Sequence, residues 1–217
     1  SRSSPIQYID GDGLLDVVFT HRLGALTYWR NRGPIAKISE VFRDLGDLNE
    51  YFLEQPLPGV RNPAYAMAWG DLDQDGDLDL VTGSYDAELE QVLKDSFMFG
   101  GGAGVFYYEN RDGTFVPQRL ADKAQTLTIA LFDVNADGWL DALVVLQEVN
   151  AVVICRNNGG VLNAPSGSLE TGDSPREAFI ADFTGDGRPD AAVINSESQD
   201  VSLVASGNTA TGPVSRD

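Results

Sequence analysis

Three nine-residue stretches place oxygen-bearing side chains at alternating positions, the spacing that gathers ligands around a hard cation. They are Asp71-Leu-Asp73-Gln-Asp75-Gly76-Asp77-Leu-Asp79, Asp133-Val-Asn135-Ala-Asp137-Gly138-Trp139-Leu-Asp141 and Asp182-Phe-Thr184-Gly-Asp186-Gly187-Arg188-Pro-Asp190. A fourth, Tyr8-Ile-Asp10-Gly-Asp12-Gly13-Leu-Leu-Asp16, departs from the pattern only at its first position. Calcium takes about six to eight oxygen ligands, and side chains at positions 1, 3 and 5 of a tight loop converge on one point. Glycine at position 6 permits the sharp turn, and position 7 (Asp77, Trp139, Arg188) offers its backbone carbonyl. The aspartate at position 9 returns from the following strand to close the cage. An EF-hand would close with Glu at position 12, where Thr82, Val144 and Val193 stand instead. The second loop is richest in carboxylates, the third substitutes Asn135, the fourth Thr184, and the first is weakest because Tyr8 supplies no carboxylate. Three to four calcium ions are expected. Asp-Gly pairs also mark ordinary hairpin turns, but four copies in matching surroundings favour cages.

Those surroundings are strands. Measured between the position-5 aspartates Asp12, Asp75, Asp137 and Asp186, the copies stand 63, 62 and 49 residues apart, a supersecondary period. Each loop follows a short apolar run (Met67 to Trp69, Ile129 to Phe132, Phe179 to Ala181) and enters another (Val17 to Phe19, Leu80-Val81, Ala142 to Leu146, Ala191 to Ile194). The pattern predicts two buried strands joined by an acidic hairpin. A third run ends in Asn at Asn31, Asn110 and Asn157, with Val201 to Asn208 a weaker fourth, and an outer stretch such as Thr114 to Leu120 completes the unit. Three or four antiparallel strands per unit predict propeller blades.

With 23 Gly and 10 Pro, tight turns outweigh long helices, so an all-β class is expected. One domain over 1–217 is expected, with blades at 1–45, 63–122, 123–172 and 173–217. Insertions fall at Leu45 to Asn62 and at 86–104, the latter with a short helix over Ala87 to Asp95.

The loops and their flanks resemble the FG-GAP/VCBS repeat family, found in integrin alpha-subunit propellers and in bacterial surface and secreted proteins. The resemblance covers nearly the whole chain, although Gly83-Ser84-Tyr85 only loosely echoes the Gly-Ala-Pro that names the family. It implies a calcium-binding β-propeller. Such propellers usually close seven blades, whereas four are counted here. The chain is therefore either a four-bladed ring closed by pairing its termini or an arc of a larger propeller.

Lys and Arg total 15 against 33 Asp and Glu, a net charge of -18 that repels nucleic acid and anionic lipid. Fourteen of those acidic residues lie in the four loops, so bound cations would relieve the repulsion. Cys155 is the only cysteine, so no intrachain disulfide forms, and it is expected to be buried in the third strand in register with Trp29 and Tyr108. The single histidine, His21, falls at a strand end with no nucleophile motif nearby, which disfavours triad or His-metal catalysis. No apolar run reaches the roughly 20 residues of a membrane-spanning helix. Tyr65, Tyr85, Phe97 and Tyr107 could form a sugar or protein contact surface, but core packing is the expectation.

The combined expectation is a non-catalytic extracytoplasmic module (extracellular, cell-surface or periplasmic) that binds a protein partner in adhesion or assembly. A glycan-binding lectin, the propeller of a polysaccharide-active enzyme and a subunit of a surface filament or large complex stand as alternatives. The weak calcium affinity expected of extracellular modules, about 10⁻⁴ to 10⁻³ M, fits an outside location.

Overall fold

The computed structural model describes residues 6–7, 9–10, 12–21, 24–33, 52–85, 103–122, 125–206 and 211–214. Among them are sixteen strands and no helix. The first sheet contains β1 (Ile6–Gln7), β2 (Asp16–His21), β3 (Gly24–Asn31) and β4 (Phe52–Pro56). The second contains β5 (Ala66–Gly70), β6 (Asp79–Gly83), β7 (Gly104–Arg111) and β8 (Thr114–Asp122). The third contains β9 (Thr126–Phe132), β10 (Asp141–Leu146), β11 (Ala151–Cys155) and β12 (Ser168–Glu170). The fourth contains β13 (Pro175–Ala181), β14 (Asp190–Asn195), β15 (Asp200–Val204) and β16 (Thr211–Val214). Each sheet is an antiparallel meander in chain order, and each acidic loop joins its first two strands. The arrangement is propeller-like: sheets stacked face to face, with β9 touching both β5 and β13.

Three hydrophobic clusters fill the three spaces between the four sheets. Val18, Leu26 and Tyr28 of the first sheet meet Met67, Leu80, Phe106 and Tyr108 of the second. The opposite face of the second, with Ala68, Val81, Val105 and Tyr107, meets Ile129, Val144, Val153 and Cys155 of the third. The far face of the third, with Leu143, Val145 and Val152, meets Ala178, Ala191, Val193 and Val204 of the fourth. A strand covered on both sides is buried along its length and mostly apolar, as in Asp-Leu-Val-Thr-Gly of β6 and all but the last residue of β10, whose Asp79 and Asp141 are hydrogen-bonded. The end sheets alternate instead. In the fourth, Phe179, Ile194 and Val201 lie 45%, 40% and 39% exposed on the face turned away from the third sheet. In the first, Phe19 is 38% exposed beside Trp29, with ring centroids 5.2 Å apart.

Glycine allows one of these interfaces to close tightly. At Gly83 a Cβ would collide with the Thr126 side chain of the third sheet.

One sequence expectation about the strands changes. The stretch Leu45 to Asn62 contains β4, which pairs with β3 from Thr27↔Pro56 to Asn31↔Phe52 and so belongs to the first sheet rather than to an insertion. Its burial shows no two-residue alternation, because it is an edge strand, and Pro56 and Pro58 punctuate it like a loop. Tyr107 is a core residue, 3% exposed, as core packing of these aromatics leads one to expect, while Tyr65 and Tyr85 are exposed. The expected helix over Ala87 to Asp95, and Phe97, lie outside the described residues. Thr82, Val144 and Val193 sit buried in β6, β10 and β14, inside strands rather than in a longer EF-type loop. Cys155 is buried and pairs with Ala142, as Trp29 pairs with Val17 and Tyr108 with Leu80, the register expected.

Candidate metal centres

The four loops share one internal hydrogen-bond pattern. The position-5 carboxylate accepts the position-7 N–H in every copy: Leu14 to Asp12 at 2.9 Å, Asp77 to Asp75 at 3.0 Å, Trp139 to Asp137 at 2.9 Å and Arg188 to Asp186 at 2.9 Å. Where position 1 is aspartate, it accepts the glycine N–H of position 6: Gly76 to Asp71 at 3.2 Å, Gly138 to Asp133 at 2.8 Å and Gly187 to Asp182 at 2.9 Å. That turn needs left-handed backbone at position 6, where φ is 82° at Gly13, 100° at Gly76, 92° at Gly138 and 84° at Gly187. Position 3 adds Asp10, Asp73 and Asn135 as acceptors for the position-5 N–H of their loops. Thr184, at position 3 of the fourth loop, instead gives its N–H to Asp190 at 2.9 Å.

Position 9 does something the sequence does not disclose. Asp16, Asp79, Asp141 and Asp190 all have 0% exposure. One oxygen of each accepts the position-2 N–H: Ile9 at 3.1 Å, Leu72 at 3.0 Å, Val134 at 3.2 Å and Phe183 at 3.0 Å. The other accepts an N–H at the end of the sheet's third strand: Asn31 at 2.8 Å, Asn110 at 2.8 Å, Asn157 at 2.7 Å and Ser206 at 2.8 Å. The closing carboxylate is thus a clasp between loop and sheet. The oxygen that takes the third-strand N–H accepts only that bond in each copy among the described residues, whereas the other also takes the Tyr107 hydroxyl at Asp79, Arg156 at Asp141 and the Thr184 N–H at Asp190. A carboxylate oxygen with one hydrogen bond has lone pairs to spare, so the clasp leaves room for a metal contact there.

The third-strand asparagines complete it. Asn31, Asn110 and Asn157 donate their side-chain amides to the position-8 carbonyls of Leu15, Leu78 and Leu140 at 3.2, 3.1 and 3.1 Å. Asn157 also donates to Leu72 of the second loop at 2.7 Å, and Gln74 of that loop donates to the Gly138 carbonyl at 2.8 Å. These bonds wedge the second loop against the third sheet.

Here the donor set best fits a cation. Carboxylate oxygens of Asp71, Asp73 and Asp75 lie within 4.8 Å of one another. Asp71 Oδ1 and Asp77 Oδ1 are buried without a hydrogen-bond partner. A buried carboxylate oxygen without a donor is costly unless a cation meets it. Burial, reinforced by Asp75 and Asp79, pushes the Asp77 carboxyl up to about 6. Burial also pushes Asp79 up to about 6, against the bonds from Asn110 and Leu72, and raises Asp73, Asp16 and Asp141. At Asp190 burial acts upward too, but the bonds from Ser206, Thr184 and Phe183 together outweigh it and hold the group below its ordinary value. A cluster of acids displaced upward by burial and mutual repulsion is the electrostatic state that a divalent cation relieves.

Away from the loops, burial pushes the Cys155 thiol up to about 12, so it stays protonated and unreactive at neutral pH. Tyr65 and Tyr85 are 48% and 39% exposed with ring centroids 4.9 Å apart, at the opposite end of the β5–β6 hairpin from its acidic loop. His21 ends β2, where its backbone pairs with Gly24.

The profile of the FG-GAP-like repeat matches residues 9–82 and 133–193. No curated protein matches the sequence. Among solved structures, the biofilm matrix protein Bap1 of V. cholerae superposes with a TM-score of 0.55 at 15% identity, over 99% of this chain and 28% of that one. BBS1N, solved in complex with ARL6DN, gives 0.57 at 12% identity, over 100% and 58%. A lectin of Agrocybe aegerita that recognises non-reducing terminal N-acetylglucosamine gives 0.50 at 19% identity, over 96% and 51%. At such identities the likeness is one of fold, and the chain spans only part of each of these proteins.

Two measurements separate the roles of the loop positions. In calcium-free buffer, Asp141→Ala should cost about 2–4 kcal/mol by denaturant unfolding, because two buried N–H groups lose their acceptor. Asp137→Ala, at an exposed position, should cost well under half of that; equal losses would contradict the clasp. The second measurement is of pH. A folded-state pKa of about 6 for Asp77, against about 3.9 in the unfolded chain, means stability is lost as pH rises from about 4 to 6. Without calcium, Asp77→Asn should therefore raise the Tm at pH 7 and leave it unchanged near pH 4; the same shift at both would contradict the assignment.

Proposed function

The chain belongs to the FG-GAP-like repeat family, and from that premise we propose that it is a non-catalytic, calcium-stabilised propeller module that works outside the cytoplasm by binding a protein partner. The observation that carries the calcium reading is the second loop, where three carboxylates converge and two buried carboxylate oxygens have no donor. Its ligands would be Asp71, Asp73, Asp75, Asp79 and the Asp77 carbonyl. Corresponding sets are Asp133, Asn135, Asp137, Asp141 and the Trp139 carbonyl in the third loop, and Asp182, Thr184, Asp186, Asp190 and the Arg188 carbonyl in the fourth. Bound ions would cross-link each hairpin, so their binding free energy becomes folding stability. Among the described residues no helix is long and apolar enough to cross a membrane.

The assembly part of the proposal rests on the end sheets. Each loop's position-2 side chain inserts toward the next sheet: Ile9 toward the second, Leu72 toward the third and Val134 toward the fourth. Phe183, the fourth such residue, is 49% exposed, and Phe179, Ile194 and Val201 of the fourth sheet are exposed as well. This face matches the ones that receive a following sheet elsewhere in the stack. The four sheets therefore read as an arc whose open face takes another sheet of the same build.

A second reading is glycan binding, favoured by the exposed Tyr65–Tyr85 pair, since stacked aromatic faces suit sugar rings. The solved relatives include a lectin. A glycan array should then give hits that Tyr65→Ala abolishes; no hit above background sets this reading aside.

For the leading proposal the test is thermal unfolding with and without calcium. At about 2 mM calcium and dissociation constants of about 10⁻⁴ to 10⁻³ M, three sites should raise the Tm by roughly 5–20 °C. The rise should shrink by about a third in Asp71→Asn/Asp75→Asn. Identical melts in calcium and chelator would overturn the calcium reading.

A further inference from the structure

The first loop does not fit the ion that the other three suit. Its position 1 is Tyr8, so one carboxylate is missing from the sequence itself. Its position-9 carboxylate, Asp16, makes the same clasp to the Ile9 and Asn31 N–H groups as its counterparts in the other loops, so the difference lies at positions 1, 3 and 5. The two remaining carboxylates already have a cation: Arg30 forms an ion pair with Asp10 through Nε and reaches Asp12 Oδ2 with Nη2 at 3.4 Å.

Arg30 comes there through strand register. Val17 pairs with Trp29, which sets Arg30 directly across the ladder from Asp16 and projects it over the loop. The same ladder place in the other sheets is filled differently. Leu80 pairs with Tyr108, so Asp79 faces Glu109, whose carboxylate is turned to Arg111 at 2.6 and 2.8 Å and leaves the second loop without a cation. Ala142 pairs with Cys155, so Asp141 faces Arg156, which reaches only the closing aspartate, at 3.4 Å, and none of positions 1, 3 and 5. Ala191 pairs with Val204, so Asp190 faces Ala205.

We propose that the first loop binds no ion because the Arg30 guanidinium, engaged with the carboxylates at positions 3 and 5, serves as its resident cation. Arg30 can substitute because the guanidinium presents several donors in a fixed fork and never deprotonates. A loop with two free carboxylates and a fixed positive charge offers a divalent ion neither the ligand count nor the potential it needs. The chain then holds three ions, in its second, third and fourth loops, and its first hairpin is stable without metal.

This inference rests on the calcium reading, and calorimetric titration of the chelated chain tests the two separately. The wild type should bind three ions, and Asp10→Asn/Asp12→Asn should still bind three. Tyr8→Asp/Arg30→Gln should bind a fourth. A wild type that binds four ions, falling to three in Asp10→Asn/Asp12→Asn, would overturn the proposal. If the wild type binds none, the calcium reading fails, and the role of Arg30 is read from melts in chelator. Arg30→Gln should lower the Tm by a few degrees, and that loss should vanish when Asp10 and Asp12 are both asparagine. The same loss in both backgrounds would overturn it.

Discussion

In each of the four sheets a carboxylate with no exposed surface receives one N–H from the loop and one from the third strand. An ionised group in such a position is tolerable only because both oxygens are hydrogen-bonded. The requirement fixes much else. The first two strands must end at the loop, the third must bring its terminal N–H back to the same point, and position 2 must turn its side chain toward the neighbouring sheet. Asn31, Asn110 and Asn157 then hold the far side of the loop through the position-8 carbonyls.

With that clasp common to all four loops, what differs between them is charge. In the second loop, pressed against the third sheet by Asn157 and Gln74, carboxylates crowd together and two oxygens find no donor. In the first, an arginine across the ladder supplies the positive charge. One clasp thus supports acidic turns that differ in how their charge is met. Stacking follows a similar rule: the inner sheets are apolar on both faces because both are covered, and the outer ones alternate because one is not.

Much of this was legible in the sequence because the repeat is written in residue types that only a few backbone shapes accept. Glycine at position 6 marks a left-handed turn, and the apolar runs on either side of each loop are its two strands. Thr82, Val144 and Val193 exclude a longer EF-type loop by residue type alone, since none of them carries the closing carboxylate. The register of Cys155 with Trp29 and Tyr108 follows from the shared terminal asparagine. The clasp was not legible, since Asp79 and Asn110 are 31 residues apart and meet only through the register of β6 on β7. Arg30 was missed for the same reason: its place opposite Asp16 depends on how β2 and β3 pair. The strand at Phe52–Pro56 read as an insertion because an edge strand owes no alternation to a core.

The most direct test of the calcium assignment is crystallographic: crystals grown in calcium, with diffraction collected at a long wavelength where calcium scatters anomalously. The expected result is an anomalous peak among Asp71, Asp73, Asp75 and the Asp77 carbonyl, with ligand distances of about 2.3–2.6 Å. Water in that position, with no anomalous signal at saturating calcium, would contradict it and reduce the acidic loops to hairpin turns.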